Sequence, residues 1–311
     1  MPLPDPRLYQ IGFLLLFLGV GIGARDWSLH PEIVLGAIGT CLTVQVLAYC
    51  CFNYGTVRSG WLVPSAEVET DSTIQSESQP DEPLVAALFN TLPSALITAL
   101  GLSLLLRTEH VGTMVIAATA AILSKFVLRV QEKHLFNPAN FGIITALTFC
   151  QGAWVSPGQW GEEGWYVLLF LVTGGLVLRL VGRWDITIAF LGSYAGLEAL
   201  RNLWLGWTWD VWLHRLMSGS LLMFACFMLT DPRTIPNARW SRLVWAVAIA
   251  LLTFILRNYF YLSTAAFWSL FFLTPLTIVL NHYFPTAAFV WKEVKSSEQS
   301  QLSFIHQLSK L

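Results

Sequence analysis

The feature that most constrains this chain is the alternation of long apolar runs with short polar breaks along its whole length. One run, LHRLMSGSLLMFACFMLTDPRTIP, spans 213–236 and ends in a polar, rigid turn. Its small and sulfur-bearing residues, Ser218, Gly219, Ser220, Ala225 and Cys226, let another backbone approach closely. Such a helix is expected to be packed by protein rather than by lipid. Pro232 then biases Asp231 out of helical geometry, and the Asp side chain can fold back on nearby amides. A buried helix ending in a polar turn is where a ligand is expected. The alternative is a plain helix stop at the membrane surface.

Only 12% of residues are charged against 55% hydrophobic, which gives a polytopic membrane protein. The net charge of −1 offers nothing to nucleic acid. The first apolar run reads as a span rather than a removed signal peptide, because Gly23-Ala24-Arg25 is a poor cleavage site. Cys41, Cys50, Cys51, Cys150 and Cys226 lie singly or as a vicinal pair in apolar runs, with no metal-ligand spacing. No Ser/His/Asp or Cys/His arrangement points to a hydrolase, and no catalytic residue or metal site is expected.

Ten spans are expected: 8–23, 32–52, 84–106 with Pro93 inside, 111–128, 136–155, 165–180, 185–203, 211–230, 243–260 and 265–283. The organisation follows as two spans in 1–57, a flexible acidic cytoplasmic loop at 58–83, a membrane domain at 84–290 and a cytoplasmic tail at 291–311. Of the 18 basic residues, one side collects Arg7, Arg58, Lys125, Arg129, Lys133, Arg179, Arg183, Arg233, Arg239, Arg242, Lys292, Lys295 and Lys310. The other has Arg25, Arg107, Arg201, Arg215 and Arg257. The positive-inside rule therefore places both termini in the cytoplasm of a bacterial-type inner membrane. Several spans are short and interrupted by Gly or Pro, which suggests two inverted five-helix repeats around a central site.

Three stretches, KHLFNPANFG (133–142), GGLVLRLVGRWDITIAFLGSY (174–194) and SGSLLMFACFMLTDPRTIP (218–236), occur in the order found in one membrane family. The chain resembles the D subunit of the Rnf electron-transport complex and the B subunit of the Na+-translocating NADH:quinone oxidoreductase. That family has a helix opening with FNPA, a glycine pair followed by an arginine-rich turn, and a late helix ending ATDPVTSP or similar. The resemblance, over about 84–283, implies an all-α, urea-channel-like ten-helix fold and a role in electron transport coupled to ion transport. It also implies other membrane subunits as partners, with no enzyme activity beyond that of an oxidoreductase-type complex. Relatives carry FMN on the threonine of an SGAT motif between spans five and six. Here 151–172 contains no threonine, and Ser156 and Tyr166 are its only hydroxyls. Covalent FMN is therefore not expected; a non-covalent FMN or riboflavin is the form of flavin left open, and its ring would want aromatic walls. A solute or flavin permease on the same fold is the alternative.

The candidate binding residues are Asn137, Pro138 and Asn140 at the head of span five, and Thr230, Asp231, Pro232 and Thr234 at the end of span eight. If the two turns face each other, they form one cytoplasmic vestibule with Lys125 near it. Lys125 could instead snorkel to the interface. Glu198 is a candidate because an acid within a span is costly; pairing with Arg201 on the same face is its structural alternative.

Overall fold

The computed structural model describes residues 6–25, 30–58, 84–130, 133–156 and 164–286. The loop after Arg58, most of the loop between spans five and six, and the tail lie outside the described residues. The chain is mostly helical. The first half holds α1 (Pro6–Arg25), α2 (Pro31–Arg58), α3 (Leu84–Leu105), α4 (Val111–Val127) and α5 (Pro138–Phe149). The second holds α6 (Gly164–Val181), α7 (Trp184–Leu205), α8 (Trp209–Leu216), α9 (Gly219–Met223) running into a π-helical segment (Phe224–Met228), α10 (Arg239–Asn258), α11 (Ala265–Leu273) and α12 (Leu276–Tyr283). Helix dominates because an apolar run in lipid must satisfy its backbone within itself.

Among the described residues, three helical stretches are long and apolar enough to cross a membrane: Pro31–Phe52, Leu88–Leu105 and Arg239–Asn258. The pair α11 and α12, bent by 45°, makes up to a fourth. Several other apolar helices are shorter, including Pro6–Ile22, Val111–Val127 and Leu168–Val181.

Three of the expected spans differ from the sequence reading: span ten is broken at Thr274-Pro275 into α11 and α12, and spans five and eight depart further. Span five is a 12-residue helix, α5, which covers about 18 Å, roughly half a bilayer core. Its continuation turns back as strand β4 (Ala153–Val155), which pairs antiparallel with β1 (Leu106–Thr108). A second small ribbon, β2 (Arg129–Val130) with β3 (Lys133–His134), bridges α4 to α5. Span eight is two pieces. Helix α8 has no buried residue, and the chain bends at Met217-Ser218 before α9 and the π-helical segment, whose residues 221–228 are all buried. The pattern of small residues located this helix correctly, but its start was set too early, in α8.

The packing of the two halves corresponds. Helix α2 packs on α4 as α7 packs on α10, and α4 packs on α5 as α10 packs on α11. Helix α1 packs on α3 as α6 packs on α9 and the π-helical segment. Across the halves, α1 meets α6 and α5 meets α11. Helices α7 and α10 run parallel. At their starts Arg242 donates to Asp185 Oδ2 at 3.0 Å, and near their ends Asn258 donates to Glu198 Oε1 at 2.8 Å.

The tightest approach is between α4 and α5. A Cβ added to Gly142 would lie 2.5 Å from the Ala117 carbonyl oxygen and 2.9 Å from the Ala121 Cβ. Neither neighbour can swing aside as a long side chain would. Gly142→Ala is expected to cost about 1–3 kcal/mol as overpacking, read as a lowered melting temperature in detergent. An unchanged melting temperature would mean that the two helices are not seated this closely.

Candidate functional site

A cavity of about 370 Å³ opens where the start of α3, the ends of α2, α4 and α6, and the start of α5 converge on the turn after the π-helical segment. The N-terminal part of α1 supplies Arg7, Gln10 and Leu14. All these helix ends lie on the side that carries most of the basic residues. The size is that of a small-molecule site.

The floor is built by the two polar turns. Asn137 caps α5: its side-chain oxygen accepts from the Asn140 N–H at 3.1 Å, and Pro138 occupies the first helical position. Asn is suited to that role because its oxygen reaches an orphan N–H, and Pro lacks the N–H that would otherwise go unpaired there. With the cap made, the Asn137 Nδ2 is free to reach across. It donates to the Met228 carbonyl at 3.2 Å and to Asp231 Oδ2 at 3.4 Å. The two turns thus meet, and Asn137, Pro138, Thr230, Asp231 and Pro232 all line the cavity.

Asp231 is held from several directions. His134 Nε2 lies 3.4 Å from Oδ2, and the Arg233 N–H donates to Oδ1 at 3.1 Å. Burial works against ionisation of this carboxyl. The His134 hydrogen bond and charge, with the Arg233 amide and guanidinium, outweigh it and keep the carboxyl below its usual range. Thr230 donates back to the Cys226 carbonyl at 2.8 Å, closing the last turn. Thr234 donates to the Asp231 carbonyl at 3.2 Å and stays outside the cavity lining. Its part is to fix the turn. Asn140 is also outside the lining; its Nδ2 donates to the Phe267 carbonyl at 3.2 Å, linking α5 to α11.

Lys125 lines the cavity from α4, and its ammonium donates to the Ser94 carbonyl at 3.2 Å and hydroxyl at 3.3 Å. It turns inward to α3. Arg7, Arg129 and Arg233 line the same space, and Asp231 is the one carboxylate among the lining residues. The cavity is therefore a basic, hydrogen-bonding chamber with apolar and aromatic walls from Tyr49, Phe52, Phe126, Val177, Leu178 and Phe227.

Glu198 stands apart, toward the opposite end of α7. It accepts from Tyr194 at 2.9 Å and Asn258 at 2.8 Å on Oε1, and from Arg215 at 3.0 Å on Oε2. Arg257 donates to the Tyr194 hydroxyl at 3.0 Å. The partner is thus Arg215 from α8 in place of Arg201, whose guanidinium instead lies over the Trp207 ring at 4.7 Å. Helix periodicity identified a possible local partner but could not see that the turn at Gly206 (φ 66°) returns α8 along α7, where Trp212 donates to the Ala195 carbonyl and Arg215 reaches Glu198.

Between the cavity and the Glu198 cluster lies a band of rings. Phe17 stacks on Phe170 with centroids 4.2 Å apart, and Phe227 meets Phe17 edge-on at 6.0 Å. Phe224 contacts Phe190 and Phe267, each at 5.4 Å. The sequence reading did not single out His134, Ser94 or Gln45. His134 stood within KHLFNPAN and Ser94 directly after Pro93; a glutamine inside span two was the available signal for Gln45.

Residues 148–290 match the NQR2, RnfD, RnfE family. Three curated relatives, each the D component of an ion-translocating oxidoreductase complex, come from Alcanivorax borkumensis, Stutzerimonas stutzeri and Actinobacillus pleuropneumoniae serotype 5b. The first is 36% identical over 110 residues, covering 33% of this chain and 31% of the relative. The second is 34% identical over 104 residues, covering 33% and 29%. The third is 28% identical over 128 residues, covering 40% and 37%. The chain thus spans about a third of the length of the curated relatives it matches. The resemblance read from the sequence holds over 148–290; the FNPAN turn lies before the matched segment.

Proposed function

We propose, from the premise that residues 148–290 are a segment of the NQR2, RnfD, RnfE family, that this chain is a membrane subunit of an ion-translocating electron-transfer complex and holds FMN or riboflavin non-covalently in its inner cavity. The observation that carries this reading is the joining of the two polar turns into the floor of one chamber. Ten membrane-crossing segments in two inverted five-helix repeats belong to the same reading, supported by the matched packing of α1–α5 and α6–α11. Both termini then face the cytoplasm of a bacterial inner membrane, with the acidic stretch 58–83 as a cytoplasmic loop, 84–290 as the main membrane domain and 291–311 as a cytoplasmic tail.

The residues fit a flavin. The cavity combines aromatic walls for a planar ring with the Lys125 ammonium and the Gln45 amide for its polar edge. A flavin bound there supplies reversible electron transfer. The chain's own contribution is to bind and orient. Lys125 would set a positive charge beside the ring edge, and the His134–Asp231 pair fixes the floor beneath it. Anaerobic dithionite titration of protein purified from its native membrane should bleach a flavin band that air restores. A preparation with no reducible chromophore, from a membrane replete in flavin, would contradict the redox reading.

The aromatic band under an inward-opening cavity favours a second reading, a permease for a flavin or another small solute. It predicts uptake by vesicles containing this chain alone, which a subunit needing its complex does not give.

A further inference from the structure

We infer that the Gln45 carboxamide, together with the Lys125 ammonium, reads the polar edge of the ligand in the inner cavity, and that this edge is a lactam or imide: a carbonyl beside an N–H. The inference rests on the flavin reading above and deepens it.

Gln45 sits in α2, 4% exposed, and lines the cavity. Its Oε1 is buried with no hydrogen-bond partner among the described residues. A buried amide oxygen left unpaired is a standing cost to the fold. An apolar residue of the same size would remove that cost, so the amide's use lies elsewhere, and the cavity is what it adjoins. On α4, the helix that α2 packs against, Lys125 lines the same cavity; it has three N–H groups, and Ser94 accounts for two contacts. The pair therefore offers one unspent acceptor and unspent donors.

That set selects among ligands. A carboxylate or phosphate would engage Lys125 and the amide N–H groups but leave the Gln45 oxygen unpaired. A purely apolar molecule would leave all of them unpaired. A carbonyl flanked by N–H satisfies both residues: the carbonyl accepts from Lys125, and the N–H donates to Gln45. The dione edge of a flavin ring, an N–H between two carbonyls, is such an edge.

The test is a fluorescence-quenching titration of the ligand-stripped full chain in detergent with riboflavin and with N3-methylriboflavin, whose edge lacks the N–H. The wild type should bind riboflavin about tenfold more tightly than the methylated compound, the value of one hydrogen bond. Gln45→Leu should bind both alike, about tenfold more weakly than the wild type binds riboflavin, and should melt at the same or a higher temperature. A merely structural glutamine would lower the melting temperature on replacement and leave the preference intact. Equal wild-type affinity for the two compounds overturns the inference and leaves the flavin reading standing; wild type that binds neither overturns both. Should Gln45→Leu not accumulate, Gln45→Met serves as a second variant and must lose the preference likewise; a Gln45→Met protein that keeps it overturns the inference.

Discussion

Glu198→Ala should be among the most destabilising single changes in this chain, with little effect on what the inner cavity holds. The carboxylate is 2% exposed and takes hydrogen bonds from three residues on three helices: Tyr194 on α7, Arg215 on α8 and Asn258 on α10. Deleting it leaves the Arg215 guanidinium beside a hole and two buried donors unpaired. Breaking a buried ion pair on one side costs about 3–5 kcal/mol. Arg215 keeps a quarter of its side chain exposed, so water recovers part of the loss and the lower end of that range applies. Glu198→Gln should cost less, because one amide oxygen still accepts from Asn258. Its NH2 cannot replace the Oε2 that Arg215 uses. Thermal unfolding in detergent measures both variants. A Glu198→Ala protein that melts like wild type would mean that the cluster does not clamp α7, α8 and α10, and would return Glu198 to the functional acids.

Lys125→Met should behave in the opposite way. No carboxylate lies within ion-pair distance of Lys125 among the described residues, so its removal strands no countercharge. Ser94 loses a donor, but its carbonyl also accepts from Thr98 at 2.9 Å. Methionine fills most of the same volume. Stability should therefore hold, while the cavity loses the charge that anchors a polar ligand. A charge-assisted hydrogen bond contributes about 1.5–3 kcal/mol, so riboflavin affinity should fall roughly 10- to 100-fold. Equilibrium titration of the purified variant gives the number. Unchanged affinity would return Lys125 to the role of a cation that reaches for polar surroundings from inside a span.

The contrast between these two residues shows what the sequence could and could not convey. Both are charges within apolar runs, and periodicity alone treats them alike. What separates them is tertiary: the turn at Gly206 folds α8 back along α7 and brings Arg215 to Glu198, whereas among the described residues no carboxylate comes within ion-pair distance of Lys125. The cap at Asn137 was legible because capping chemistry is local, with Pro138 beside it. The turn at Asp231 was legible for the same reason, through Pro232. Whether the two turns face each other was left open by the sequence; tertiary packing joins them at the Asn137–Asp231 contact of 3.4 Å. The half-length of α5 was hidden because 136–155 reads as one apolar stretch. The stop comes at Cys150, where the backbone turns extended to place β4 beside β1. The start of α9 was hidden likewise, since α8 is an amphipathic helix of Trp and Leu that blends into the apolar run. Gln45 and Ser94 are single polar residues in long helices, and only the packing of α2, α3 and α4 reveals that they share a space.

The measurement that bears most directly on the account is the absorbance and fluorescence spectrum of the detergent-purified protein, taken before and after acid denaturation and removal of the chain. The account predicts a yellow protein whose flavin passes entirely into the supernatant, because 151–172 holds no threonine to carry it. Flavin that stays on the precipitated chain would contradict the non-covalent site. A colourless protein, prepared without a wash that strips ligand, would contradict flavin binding itself and leave the permease reading.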